Sequence, residues 1–411
     1  MLTTCFTFDG NNKKFMLSPS KITIKKGKEI SLLRKHPWVF SGAIAKMENE
    51  NIQDGEVVEI VSWNKLFLGL GHYQGRTSIA IRIISFENIL IDQNFWNTKI
   101  SQATVYRKAV NLPNPVTNCF RLIHGEGDGL PGLIIDIYND IAVIQCHSAG
   151  MLLAVQDIAK SIRTCLSQQI KHIYVKSKDT LPESAGIENS DHFIFGNKDE
   201  TTVLENGIQF KVNVASGQKT GFFLDQRENR LLVGTFSKSK SVLNCFCYTG
   251  GFSLFALAGH AARVDSVDIS QKAVDLMDEN VRLNHFIENH QSFCDNVMTL
   301  LSSPSDQTYD IVIVDPPAFA KSLHKRHNAV QAYKRLNALA LKKVKSGGML
   351  FTFSCSQVVG TQLFYDTIVA AGIESGKNIR VIKSLSQGPD HPIGLFHPEG
   401  HYLKGLQLFI E

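Results

Sequence analysis

From about Lys198 to the C-terminus, short apolar runs of strand type alternate with runs of helical period, and few folds accept that alternation. SVLNCF, RVDSVDI, YDIVIVD and GMLFTFS are the clearest strands. QKAVDLMDENVRLN places Ala273, Val274, Met277 and Val281 on one helical face. The pattern predicts a doubly wound, Rossmann-like α/β domain over residues 198–411.

A chain of 411 residues is too long for one ordinary core, so more than one domain is expected. ITIKKGKEISLL, GEVVEIVS, LFLGLGHYQ and SIAIRIISF read as short strands with turns between them, a small β-barrel over 20–92. Over 93–197 the texture changes to α+β. FWNTKISQATVYRKAV and MLLAVQDIAKSIRTCLSQQI have helical spacing, while LPGLIIDIYNDIAVIQCH, IKHIYVKS and DHFIFG read as strands. Residues 1–19 read as an extension without the apolar core of a secretion signal. No apolar run approaches the ~20 residues of a membrane helix. The eight cysteines form no C-x-x-C pair, which argues against a disulfide framework and against a zinc knuckle, so no metal is expected. A reducing, cytoplasmic setting fits best.

The net charge is only +5, but its distribution is uneven. Nine Lys or Arg and one acid, Glu29, lie between Asn11 and Lys46. Eight Lys or Arg and no acid lie between Ala320 and Lys345. One such run is commonly a solvated face; two favour a polyanionic partner.

SVLNCFCYTGGFSLFALAG reads as strand, glycine turn and helix. The helix start after Gly250 and Gly251 offers free N–H groups and a positive dipole end. A dinucleotide would want G-x-G-x-x-G, yet Ser253 and Leu254 stand near where the third glycine belongs. Asp268, seventeen residues past Gly251, ends the next strand and suits ribose hydroxyls. Asp295 and Asn296 follow the third strand and suit an adenine edge. Adenosine recognition without a pyrophosphate cradle points to S-adenosylmethionine. A dinucleotide, or a glycine turn that merely joins strand to helix, remains the alternative.

DIVIVDPPAFAKS puts Asp315, Pro316 and Pro317 at the end of a buried strand, on the edge where open α/β sheets place their sites. The prolines remove two donors and stiffen the turn. FTFSCSQ then ends a second strand at Ser354, Cys355 and Ser356. Cysteine is often a small core residue. Neighbouring strands, however, would bring Cys355 and Asp315 into one pocket beside the methyl donor, an arrangement for covalent activation of a ring carbon.

At these residues the chain resembles the large-subunit (23S) rRNA cytosine-C5 methyltransferases of the RlmI type, from about Lys21 onward. The matching stretches are LLRKHPWVFSGAI, GDGLPGLIIDIY, ASGQKTGFFLDQRENR, NCFCYTGGFSLFA, SVDIS, DPPAFAKS, FSCSQ and DHPIGLFHPEGHYLKGL. The resemblance implies a PUA-type RNA-binding domain, a small linking domain and a class I methyltransferase domain. It also implies S-adenosylmethionine as donor and 23S rRNA, or a large-subunit precursor, as substrate. Cys355 would be the nucleophile, and Asp315 would hydrogen-bond the cytosine N3/N4 edge. Phe223, Asp225, Arg227, Asn244, Tyr248, Thr249, Gly250, Gly251, Asp268, Asp295, Asn296, Asp315 and Pro316 would surround the cofactor. Lys25, Lys26, Lys28, Arg34, Lys35, Lys219, Lys321, Lys325, Arg326 and Lys404 would meet RNA. His36-Pro37-Trp38 is expected to be barrel core. Many RNA cytosine-C5 enzymes carry a second cysteine in the motif that starts here at Asp315. DPPAFAKS has none, which leaves the base for the C5 proton unassigned.

Three readings compete. Methylation of another base atom, such as guanine N7, needs no thiol, so Cys355 argues against it. A ribosome-assembly factor that binds S-adenosylmethionine without catalysis is opposed by the intact glycine turn and acidic residues. A dehydrogenase lacks its pyrophosphate cradle. Self-association into a homodimer is compatible with the sequence but not specified by it.

Overall fold

Alternating apolar residues in Ser20–Ile24 (β1) bury Ile22 and Ile24, and this strand begins the described structure. The computed structural model describes residues 19–181, 190–304, 306–320 and 322–411. The expected extension 1–19 therefore lies almost wholly outside the described residues, and so does Lys321. The chain divides into two compact units, with the boundary between Ile89 and Leu90.

In the first unit, β1 is followed by Ile30–Leu33 (α1), Trp38–Phe40 (β2), Ile44–Met47 (β3), Val57–Val61 (β4), Phe67–Tyr73 (β5) and Ile79–Ser85 (β6). They form one six-stranded sheet in the order β2-β6-β5-β4-β1-β3. Its core joins Ile22, Ile24, Leu32, Val39, Val58, Ile60, Leu68, Ile81 and Ile83. ISLL, read as the end of a strand, is the single-turn helix α1. Leu32 alone of its four residues turns inward, and that contact decides the conformation. Pro37 and Val39 are buried, while His36 and Trp38 are half-buried and meet edge-on at 5.8 Å.

The second unit opens with Gln93–Ala109 (α2), capped by the Asp92 carboxylate, which accepts from Phe95 N–H at 3.0 Å. Cys119–His124 (β7), Leu133–Tyr138 (β8) and Ile141–Cys146 (β9) follow, then Ala149–Leu153 (α3) and Val155–Cys165 (α4). The single helix expected over 151–170 is thus two, separated at Ala154. His172–Val175 (β10) and His192–Phe195 (β11) complete a five-stranded sheet in the order β11-β10-β9-β8-β7. Glu200–Glu205 (β12) and Ile208–Asn213 (β13) form a hairpin through Asn206 and Gly207, both at positive φ. An Asn-Gly pair suits this tight turn because both of its central residues take positive φ.

The largest sheet carries the site. Its helices and strands are Arg227–Phe236 (α5), Ser241–Cys245 (β14), Gly251–Ala258 (α6), Arg263–Asp268 (β15), Gln271–Leu283 (α7), His290–Cys294 (β16) and Val297–Ser302 (α8). Tyr309–Val314 (β17), Arg326–Lys342 (α9), Val344–Ser354 (β18), Thr361–Ser375 (α10), Ile379–Leu385 (β19) and Lys404–Ile410 (β20) follow. Strand order is β16-β15-β14-β17-β18-β20-β19, parallel through β18 and antiparallel at β20. β14 and β17 are buried on both faces, as helices on each side of a parallel sheet require. Ala273, Val274, Met277 and Val281 form the buried stripe of α7. The order reverses between β14 and β17, which opens a crevice at their carboxyl ends. Among the described residues no helix is long and apolar enough to cross a membrane.

Candidate active site

β17 and β18 pair in parallel with Val314 opposite Thr352, so both chains leave the same edge of the sheet, β18 two residues farther along than β17. β17 releases Asp315 and β18 releases Cys355. The two serines beside the thiol hold the turn. Ser354 Oγ accepts from Ser356 N–H at 3.4 Å, and Ser356 Oγ donates to the Ala320 carbonyl at 2.8 Å, tying this turn to the DPPAFA loop. Cys355 itself is half-buried. The amide of Gln226, oriented by Asn229 at 2.6 Å, donates to Asp315 Oδ2 at 3.0 Å. Tyr402 O–H donates to Asp225 Oδ2 at 2.6 Å, while Asp225 Oδ1 is buried without a partner among the described residues.

Burial, and then the nearby Asp225 charge, push the Asp315 carboxyl up to about 7. Burial, followed by Asp315 and Asp225, pushes the Cys355 thiol up to about 11, with Lys219 pulling the other way. The pocket of the free protein therefore favours the thiol over the thiolate, beside a carboxyl that keeps its proton to a higher pH than an ordinary carboxylate.

On the other side of the crevice, β14 ends in the turn that starts α6. Gly250 has φ +85°, and a Cβ there would lie 2.6 Å from Met277 Cγ. A Cβ on Gly251 would lie 2.9 Å from Arg230 Cδ. Both glycines are required by the packing of the turn itself. Asp268 accepts from Tyr248 N–H at 3.0 Å and Ser270 N–H at 2.9 Å, and its carbonyl accepts from Asp295 N–H at 3.0 Å. The ends of β14, β15 and β16 are thus linked, and the exposed Asp295 carboxylate stands at their rim. Phe223 and Tyr248, both half-buried, meet edge-on at 5.3 Å as an aromatic wall. Thr249 Oγ1 is buried with no partner among the described residues.

A family model for S-adenosylmethionine-dependent methyltransferases matches residues 157–393, and a PUA-like domain model matches residues 22–86. Proteins named ribosomal RNA large subunit methyltransferase I are 36% identical in Shewanella amazonensis and 38% identical in Vibrio cholerae, each covering 94% of this chain and 98% of its own length. The chain belongs to the ribosomal RNA large subunit methyltransferase I family. A solved chain described as a SAM-dependent methyltransferase from Streptococcus mutans shares its fold, with a TM-score of 0.81 at 23% identity over 94% of this chain and 99% of that one. The donor of this family is S-adenosylmethionine, and the crevice fits it. Two carboxylates at successive strand ends, an open helix start, an aromatic wall and an orphaned threonine hydroxyl are the groups that would hold its adenosine and amino-acid parts.

Not every residue expected in a methyltransferase I site reaches it. Arg227 is buried, with two nitrogens on Asp390 at 2.7 and 3.1 Å and a third on Glu228 at 3.3 Å, so it is an internal ion pair closed to the cofactor. Asn244 lies beneath the turn, donating to Ser253 of α6 at 2.8 Å, and braces the helix. The Asn296 side-chain oxygen caps α8, accepting from Met298 and Thr299 N–H. Lys404 is 3% exposed, far too buried to meet phosphate. Its ammonium donates to the Ser356 carbonyl at 2.9 Å and the Tyr402 carbonyl at 2.7 Å, and burial brings it down to about 8. Pro316 is buried and shapes the exit of β17.

Gln226, Arg230 and Tyr402 were missed in the sequence. Arg230 grips buried Glu205 of β12 through two bonds of 2.7 and 2.8 Å, donates to the Phe223 carbonyl at 2.8 Å and backs Gly251. Its only signal was its place in DQRENR. Lys25, Lys26, Lys28, Arg34, Lys35, Lys219, Lys325 and Arg326 are all exposed. Lys26 lies over the Trp63 ring at 4.9 Å and Lys35 over Phe86 at 4.8 Å. Lys325 and Arg326 stand at the start of α9, where the helix dipole already repels cations, an arrangement that suits an anion.

Proposed function

We propose that this protein methylates C5 of a cytosine in large-subunit ribosomal RNA, through a covalent bond between Cys355 and cytosine C6. The names of its relatives support the RNA class, and the nearness of the Asp315 carboxyl to the Cys355 thiol at the ends of two neighbouring strands carries the chemistry. Cytosine C5 is too weak a nucleophile to take a methyl group directly. Addition of Sγ to C6, with the thiol proton passing by way of the Asp315 carboxyl to N3, makes C5 enamine-like. The Asp315 carboxyl, held by Gln226 and pushed up to about 7, can donate to N3 and stabilise the adduct. Bound S-adenosylmethionine supplies the electrophilic methyl group. The base must leave its stack to reach Cys355. Exposed Lys219, Lys325 and Arg326 are proposed to hold phosphates near the target, and Lys25, Lys26, Lys28, Arg34 and Lys35 to hold RNA on the PUA-like unit. With this reading goes a division into domains at 20–92, 93–197 and 198–411.

RNA containing 5-fluorocytidine tests the mechanism, because fluorine cannot leave as a cation. The wild-type protein with S-adenosylmethionine should form an RNA adduct that survives denaturation, and Cys355→Ala should form none while still binding the donor. Full methyl transfer by Cys355→Ala would return the thiol to a packing role.

A further inference from the structure

The covalent route needs a base for the C5 proton, and the DPPAFAKS loop offers no second cysteine. We propose that Asp225 is that base, with Tyr402 as its positioning residue; this rests on the covalent reading above. Two buried polar atoms close to Cys355 lack a partner among the described residues, Tyr333 Oη and Asp225 Oδ1, and the tyrosine hydroxyl, pushed up to about 12 chiefly by burial, is no base at neutral pH. Asp315 Oδ2 is held by Gln226, and its carboxyl is assigned to the N3 edge. The Lys404 ammonium is spent on two carbonyls of the Cys355 and Tyr402 turns. Lys219 is a cation and a donor. Tyr402 donates its proton to Asp225 Oδ2.

Asp225 Oδ1 is the acceptor left over: buried, unpartnered among the described residues, and on a carboxylate whose charge bears on both Asp315 and Cys355. It is also rigidly placed. Its backbone carbonyl accepts from Gly388 N–H at 3.1 Å, and its side chain is tied to Tyr402, so both ends of the loop from Gly388 to Tyr402 are anchored on this one residue. A base must be fixed within hydrogen-bond reach of the proton it takes, and this double anchoring supplies the fixing.

Once C5 carries the methyl group, its remaining proton passes to Oδ1. The C–H electron pair closes the C5=C6 double bond, the C6–S bond breaks, and the thiolate of Cys355 is released. Two carboxyls then divide the work, Asp315 supporting the N3 edge and Asp225 receiving the C5 proton, as paired carboxyls in distinct surroundings commonly do.

Asp225→Asn keeps the shape and the Tyr402 contact but removes the base. With ordinary cytidine RNA and methyl-labelled S-adenosylmethionine, it should accumulate a denaturation-resistant, methyl-labelled protein–RNA adduct while turnover falls by about 100-fold or more. The base assignment moves Asp225 out of the cofactor contacts that the resemblance implies, so donor affinity, read by calorimetry, should stay within a few-fold of wild type. Tyr402→Phe retains the carboxylate but loses its anchor. With RNA bearing 5-deuterocytidine, it should show a primary isotope effect on turnover that the wild type lacks, and this arm stands even if Asp225→Asn does not fold. Wild-type turnover in Asp225→Asn, loss of activity without any adduct, or loss of donor binding would each overturn the assignment, as would a Tyr402→Phe protein with no isotope effect. Absence of a 5-fluorocytidine adduct in the wild type would instead overturn the covalent reading beneath it.

Discussion

Asp315 shows how a single side chain is set by what surrounds it. Its carboxyl ordinarily titrates at 3.8 and is pushed up to about 7, first by burial and then by Asp225. The sign follows from linkage. Between pH 4 and 7 the folded protein retains a proton that the unfolded chain has released, so folding stability is full below about pH 4 and falls as pH rises toward 7. The ceiling on that loss is roughly 4 kcal/mol, and partial exposure makes it smaller. Asp315→Asn cannot ionise, so its stability should fall less over this window. Urea unfolding at pH 4, 5.5 and 7 reads the difference, and parallel curves for variant and wild type would refute the shift. The residue scale is also where motif reading fails most. Arg227 and Lys404 lie in blocks that carry the family resemblance, yet both are buried in contacts with partners from distant parts of the chain. A motif names the residue type without saying which way it faces.

Among the elements, the β12–β13 hairpin and α5 are coupled by the Glu205–Arg230 pair, with both side chains almost wholly buried. Glu205→Ala would leave a guanidinium without its counter-charge inside the protein, a change that typically costs about 3–5 kcal/mol. Because Arg230 also backs Gly251 and holds the Phe223 carbonyl, donor affinity should fall along with stability. Denaturant midpoints and donor titration check both; an unchanged midpoint would mean the pair is dispensable. The elements legible from sequence were those with strong period and clear ends. The α7 stripe and the β17 run needed no tertiary knowledge. α1 and the break at Ala154 were not legible, because short apolar runs such as ISLL and MLLAV fit either conformation until packing chooses.

At the scale of the whole molecule, uneven charge becomes a testable property. If exposed Lys25, Lys26 and Lys28 neutralise phosphates, RNA affinity falls with salt at a log–log slope of about −0.7 to −0.9 per contact. Replacing all three with Glu should flatten the slope by roughly two to three units. Filter binding between low and moderate salt measures it, and an equal slope in the variant would make these lysines a solvated surface. The PUA-like and methyltransferase matches agree with the reading of a β-rich part followed by an α/β part.

Period and spacing in the sequence were sufficient for the α/β alternation, the glycine turn, the strand ends that deliver Asp315 and Cys355, and the acidic residues at the crevice. These signals are local: a strand's burial pattern, a helix stripe and a turn's glycine are all written within a few residues of one another. Tertiary structure alone decided that Tyr402 would reach Asp225 and Gln226 would reach Asp315. It alone turned Arg227 onto Asp390 and buried Lys404 beneath the thiol turn. Asp225 and Tyr402 are separated by 177 positions, and no periodicity relates them. Only the closing of the sheet, with β20 antiparallel beside β18, brings them to one pocket.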